Sequence, residues 1–198
     1  MTDNKTDPAA EAALLEAYAA GDADAARALA SRYTPLVFAH AFRMLNDRAE
    51  AEDVAQDAML RLWRQAPGWD AAGAASVRTW LYRVTANLCI DRLRKTRPVG
   101  LPEELEIADT APGAEARMQS EARRMALDEA LMQLPDRQRQ AVMLRHIEGL
   151  GNTEIAQIMD IGPRAVESLT ARGKRALTAL LSGQRKDLGY TDDTIQTS

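Results

Sequence analysis

Between Val77 and Arg97 the chain reads VRTWLYRVTANLCIDRLRKTR, with Arg78, Arg83, Arg92, Arg94, Lys95 and Arg97 set against Asp91 alone. At 100° per residue Arg83, Asn87, Ile90 and Arg94 fall in one stripe. Val77, Leu81, Val84 and Leu88 fall in another, with Trp80 beside them. Guanidinium and ammonium groups along a helix neutralise phosphates, and an amide such as that of Asn87 offers a donor and an acceptor to a base. The stripe suits contact with a nucleic-acid strand. A helix whose arginines are simply solvated has the same periodicity, and Trp69, Trp80 and Tyr82 are expected to pack rather than stack on bases.

A second basic segment, NTEIAQIMDIGPRAVESLTARGKRAL, starts at Asn152. Asn152 or Thr153 is placed to cap a short helix holding Ile155, Ala156, Ile158 and Met159. Asp160, Ile161 and Gly162 then make a tight turn, and Pro163 suits the first turn of a second helix whose Val166 faces inward. This is the pattern of a helix-turn-helix. Its second helix would carry Arg164, Glu167, Ser168 and Arg172 toward a major groove, where Arg pairs with guanine and Glu accepts from cytosine. Lys174 and Arg175 suit phosphates, as do Arg185 and Lys186 beyond them. A helical hairpin with a solvated basic face is the plainer alternative.

The third segment is acidic. In AEDVAQDAMLRLWRQ, residues Ala51, Val54, Ala55, Ala58 and Leu62 form an apolar face. The opposite face carries Asp53, Gln56, Asp57 and Arg64, with Leu60 in their midst. A leucine standing among carboxylates is an anchor for a partner or an ordinary surface residue.

These segments need helices to hold them. PAAEAALLEAYAAGD is helical with a stop at Gly21, and Pro35 marks a start, a kink or a short break in the next helical stretch. Asn46 or Asp47 is the N-cap of the acidic helix, and Ser76 that of the basic one. After Arg97 the chain holds PVGLPEELEIADTAPGAEA, whose charges are all negative and whose prolines and glycines break any periodicity, so it reads as a flexible linker. Helical pattern then resumes to Leu181. No strand-like alternation appears. The expected fold is all-α: two small helical domains joined by an acidic tether.

The totals agree. Apolar residues are 46% and charged residues 27% of 198, a globular composition, and aromatics are only 5%. A net charge of −4 argues against a surface that grips nucleic acid everywhere. Cys89 is alone and expected to be structural, His40 and His146 lack metal-ligand spacing, and no apolar run approaches a membrane span. There is no phosphate-binding glycine motif and no nucleophile–base pairing, so neither an enzyme nor a bound cofactor or metal is expected.

In this order, and followed by LPDRQRQAVMLRHIEGLG leading into the helix-turn-helix, the segments resemble the extracytoplasmic-function sigma factors of bacterial RNA polymerase over roughly Glu11 to Leu181. The resemblance implies a sigma region 2 bundle over 8–97, a linker over 98–118, a sigma region 4 helix-turn-helix over 119–183 and a polar tail over 184–198. It implies an alternative sigma factor that binds core RNA polymerase, directs it to specific promoters and promotes DNA melting, in a stress or envelope response. Asp53, Gln56, Asp57 and Leu60 would meet the clamp coiled coil of the beta-prime subunit, which gives Leu60 its reason. Arg83 and Asn87 would lie near the non-template strand of the minus-ten element, Arg94 and Lys95 near phosphates, and the loop Trp69 to Ser76 would receive a flipped base. Arg164, Glu167, Ser168, Arg172, Lys174 and Arg175 would read the minus-thirty-five element. The implied partners are core polymerase through its beta-prime clamp and beta flap, promoter DNA and an anti-sigma factor, all met in the cytoplasm. Glu167 and Leu169 depart from the basic residues of many members, so a promoter sequence does not transfer. A stand-alone helix-turn-helix regulator, dimeric and independent of polymerase, is the second reading; it has no need of the basic helix in the first domain.

Overall fold

The computed structural model describes residues 8–70, 76–96 and 115–182, with the backbone alone for Pro8, Thr96 and 115–123. The expected tail, most of the expected linker and the middle of the 69–76 loop lie outside them. The described residues form eight α-helices and no strand, as the all-α reading requires. Helix α1 (Pro8–Ala19) ends in a turn where Gly21 takes φ +91°, a conformation that side chains resist. Helix α2 (Ala23–Leu45) begins at Asp22, whose carboxylate accepts the amides of Asp24 and Ala25 at 2.7 and 3.3 Å. It runs unbroken through Pro35. That proline is exposed, and water can take the Ser31 carbonyl that loses its donor.

Asn46 and Asp47 divide the work at the next junction. Asn46, at φ 52°, closes α2 with its amide on the Phe42 carbonyl at 2.8 Å, and Asp47 opens α3 (Arg48–Gln65) by accepting the Glu50 amide at 3.0 Å. The whole expected apolar face of α3 is buried, from Ala51 to Leu62, with Met59 added. Its three alanines let α3 lie close against α2. Ser76 caps α4 (Val77–Thr96), its hydroxyl accepting the Thr79 amide at 3.1 Å. Glu11, almost fully buried, staples three helices: its carboxylate accepts the Tyr33 hydroxyl of α2 and, at 3.2 Å, the Val77 amide of α4. Burial pushes that carboxyl above the usual range.

The second unit starts with α5 (Glu115–Met132) and α6 (Asp136–Val142), which continues as a wider turn to Ile147. Gly149, at φ +72°, ends it. Helix α7 (Asn152–Met159) and helix α8 (Pro163–Ser182) form the helix-turn-helix, with Asp160 at φ 53° turning the chain and Val166 buried. The cap of α7 is Gly151, not Asn152 or Thr153. Glu154 reaches back to accept the Gly151 amide at 2.9 Å, so a hydroxyl or amide cap is not required.

The two units also touch directly. Tyr82 of α4 is 1% exposed and packs with Leu144, Leu150 and Ile155 of the second unit. Against the Tyr82 ring, at 5.2 Å, lies His40, fully buried and without a hydrogen-bond partner on either ring nitrogen. Burial above all, then the nearby Arg43 charge, lowers its pKa from 6.5 to about 4. The unfolded chain therefore takes up this proton first as pH falls. The stability it supports is complete above about pH 6.5 and is lost as pH drops toward 4. Denaturant unfolding at pH 7 and pH 4.5 is expected to show roughly 2–3 kcal/mol less acid loss in His40→Leu than in the wild type. Equal acid sensitivity would remove His40 as the cause.

Candidate functional site

Three exposed surfaces emerge from this frame. On α3, Asp53, Gln56 and Asp57 face solvent, and Leu60 is 50% exposed one turn on. The spacing of three and four residues puts all four on one side of the helix, opposite the buried alanines. Beside Gln56 opens a groove of about 360 Å³, walled by Thr34 and Phe38 of α2 and by Arg48, Glu52, Ala55 and Met59 of α3. The Arg48 guanidinium caps its rim, 5.8 Å from the Phe38 ring and 2.9 Å from the Glu52 carboxylate. An apolar-floored groove with a charged edge, next to a protruding leucine, is suited to gripping side chains of another protein.

On α4, Arg83, Asn87, Arg94 and Lys95 are all exposed, with Ile90 half-buried among them. The stripe is real, and its opposite side is the core formed by Val77, Leu81, Leu88 and Cys89. Burial pushes the Cys89 thiol up to about 12, which keeps it protonated and unreactive. Trp69 and Trp80 meet edge to face at 5.8 Å, and both are partly buried against the core. Packing claims these aromatics, as expected.

Arg92 joins the acidic and basic helices. Its guanidinium donates to the Glu50 carboxylate at 2.8 Å and lies 3.4 Å from Asp57. The α3 and α4 surfaces are thereby fixed side by side, and Asp57 is partly neutralised. Sequence periodicity counted Arg92 only as one more cation. The signal it offered, a cation on the side of α4 facing the acidic helix, becomes readable only once the two helices are known to be neighbours.

On α8, Arg164, Glu167, Ser168, Arg172, Lys174 and Arg175 are all exposed. Glu167 is not aimed purely outward, because it accepts the Asn152 side-chain amide of α7 at 3.3 Å. Arg172 donates to the Ser168 carbonyl at 3.3 Å along its own helix. The remaining cations of this face are displayed on a rigid rod held by Val166 and by the close contact of Gly173 with α6. Among the described residues no cluster of His, Cys, Asp or Glu could hold a metal ion, and no helix is long and apolar enough to cross a membrane. The arrangement is one of binding surfaces.

Comparison with known proteins gives the same outline. The family model for Sigma-70 region 2 matches residues 29–99, and that for Sigma-70, region 4 matches residues 124–177. The chain is 31% identical to the ECF RNA polymerase sigma factor SigW of Bacillus subtilis, over 79% of this chain and 89% of that protein. It is 34% identical to the ECF RNA polymerase sigma factor SigM of Mycobacterium tuberculosis, over 86% of this chain and 84% of that protein. Among solved structures its fold is similar to CnrH in complex with the cytosolic domain of CnrY, with a TM-score of 0.64 at 24% identity, covering 88% of this chain and 98% of the other. It is similar also to the sigma factor RpoE in complex with the anti-sigma factor NepR from Bartonella quintana, with a TM-score of 0.60 at 20% identity, covering 79% and 96%.

Proposed function

The chain belongs to the extracytoplasmic-function sigma factors of RNA polymerase, an alternative sigma factor for transcription initiation and not an enzyme, and on that premise we propose how its surfaces divide the task. Asp53, Gln56, Asp57 and Leu60 of α3 bind the clamp coiled coil of the beta-prime subunit. Arg83, Asn87, Arg94 and Lys95 of α4 follow the minus-ten element, and Arg164, Glu167, Ser168, Arg172, Lys174 and Arg175 of α8 address the minus-thirty-five element. The units that carry these roles are 8–97 and 119–183, joined by the acidic stretch 98–118. The observation that carries the reading is the segregation of charge: an acidic, leucine-bearing face on α3 lies beside an exposed cationic stripe on α4, with a second cationic rod in the other unit. A chain built this way holds a protein with one surface and DNA with two others.

Melting follows from the same placement. A base unstacked from the minus-ten element is captured beside α4, which lowers the cost of strand separation once polymerase holds the duplex. With a net charge of −4, few phosphates are neutralised by the chain alone, so free promoter DNA binds weakly until core adds its own contacts. The chain acts in the cytoplasm, in a stress or envelope response. An anti-sigma factor holds it inactive, a reading supported by the fold relative RpoE, whose co-crystal structure is a complex with the anti-sigma factor NepR. Run-off transcription on a genomic promoter library tests the reading. Core plus this chain is expected to start transcripts at a defined set of sequences, and core alone at none of them. A chain that fails to join core, or that binds promoter DNA tightly and specifically without it, would overturn the proposal in favour of a stand-alone regulator.

A further inference from the structure

Arg92 does not belong to the strand-facing stripe of α4. At 100° per residue it lies half a turn round the helix from Arg83, away from Asn87 and Arg94. It continues the core side of α4, past Leu81 and Leu88, to the edge where α4 meets α3, and its side chain is 22% exposed. One terminal nitrogen, Nη1, donates to Glu50 twice, to the carboxylate and to the backbone carbonyl, each at 2.8 Å. The other, Nη2, donates to Oδ2 of Asp57 at 3.4 Å. Glu50 and Asp57 are two turns apart on α3 and so share one side of it. The guanidinium is thus moored on Glu50 and reaches across to Asp57. Within the patch of Asp53, Gln56, Asp57 and Leu60, Asp57 is the member turned toward α4.

We propose that Arg92 is a positioning residue for core polymerase: it acts by holding the Asp57 carboxylate in the pose that the polymerase receives, and not by touching polymerase or DNA itself. The inference rests on the reading of the α3 patch as the core-binding surface. A half-exposed aspartate is otherwise free to change rotamer, and a partner that needs one rotamer must order it on binding. Arg92 orders it beforehand. When the partner closes over the patch, Asp57 also loses water, and the guanidinium bond remains to offset that loss. The second oxygen, Oδ1, makes no hydrogen bond among the described residues and is the one offered to the partner. The positive charge of Arg92 works in the other direction, by weakening the pull of Asp57 on a cation of the partner. For a pair that is half exposed and joined by one 3.4 Å contact this opposing effect is small. The task needs the planar fork of arginine, because a lysine has a single nitrogen and cannot hold Glu50 and Asp57 together.

A double-mutant cycle on the full chain, read as affinity for core polymerase, separates this role from a structural one. Arg92→Met is expected to weaken core binding by about threefold to tenfold, the size of ordering one side chain. In the Asp57→Asn background the same substitution is expected to cost less than about twofold, because the group through which Arg92 acts is gone. Arg92→Lys is expected to stay measurably weaker than the wild type. If Arg92→Met loses helical content by circular dichroism, Glu50→Gln, which removes the mooring carboxylate and leaves Asp57 intact, takes its place in the cycle. An equal cost in both backgrounds would show that Arg92 only props α4 against α3, and overturns the positioning role alone. So does tighter binding by Arg92→Met, or full wild-type affinity in Arg92→Lys, where charge without the fork suffices. Asp57→Asn that binds core as well as the wild type overturns the assignment of the α3 patch, and the positioning role with it.

Discussion

Leu60→Arg is expected to weaken binding to core RNA polymerase by roughly 30- to 1000-fold, the loss typical of a central interface anchor. Leu60 projects from the same side of α3 as Asp53, Gln56 and Asp57 and is half exposed in the free chain, where it has no structural task. Substitution removes the apolar anchor and places a cation in a patch whose complement must tolerate carboxylates, so attraction is lost and repulsion added. The fold should not notice. Arginine is as good a helix former as leucine, and Leu60 is neither part of the buried face of α3 nor packed into the core. Titration of dye-labelled chain with core, alongside circular dichroism, separates the two effects. Leu60→Ala, which trims the anchor without adding charge, should lose less than Leu60→Arg. Wild-type affinity in Leu60→Arg with helical content intact would mean that core polymerase is bound by another surface.

Gly173→Ala carries the largest expected cost to stability. A methyl group at Gly173 would sit 2.5 Å from Val142 Cγ2 and 3.2 Å from the Gln138 carbonyl oxygen. The valine is β-branched and stiff, and the carbonyl is backbone, so relief requires α8 to move away from α6. Glycine in a helix interior costs about 1 kcal/mol relative to alanine, so helix propensity favours the substitution. Overpacking costs about 1–3 kcal/mol and outweighs it, leaving a net loss of up to about 2 kcal/mol for alanine and more for valine. At 2–4 °C per kcal/mol for a chain of this size, thermal unfolding should begin several degrees lower. Gly162→Ala is the control, since nothing lies within 4 Å of a methyl group there. A Tm for Gly173→Ala at or above that of the wild type would show that the helices spread at no cost. Because α8 carries the cations from Arg164 to Arg175, the shift that relieves the clash should also weaken the DNA binding proposed for that helix.

The inside and the outside of each helix were legible in the residues. The face Ala51, Val54, Ala55, Ala58 and Leu62 is buried and Leu60 exposed, because a 3.6-residue period is a property of the helix itself. The same holds for the stripe Arg83, Asn87 and Arg94, for the turn at Asp160 and for Pro163 at the start of α8. Single capping residues were less legible. Asn46 and Asp47 turned out to share one junction, and Gly151 replaced Asn152 or Thr153, since a cap depends on the backbone angle of one residue as well as on its side chain. Pro35 could start, kink or break a helix, and only its exposed position decided that α2 continues.

What the sequence determined by itself is therefore the set of helices, the face that each one buries, and the charge and the leucine that each displays. These depend on neighbours three and four residues away, and the chain carries that information locally. The tertiary structure alone decided which helices meet: Arg92 bridging Glu50 and Asp57, Glu11 joining Tyr33 to Val77, Gly173 admitting α6, and Glu148 closing over Tyr82 from 66 residues away. Such pairs depend on the angle and distance between packed helices, which buried volume and close packing set together and which no periodicity in a single segment encodes.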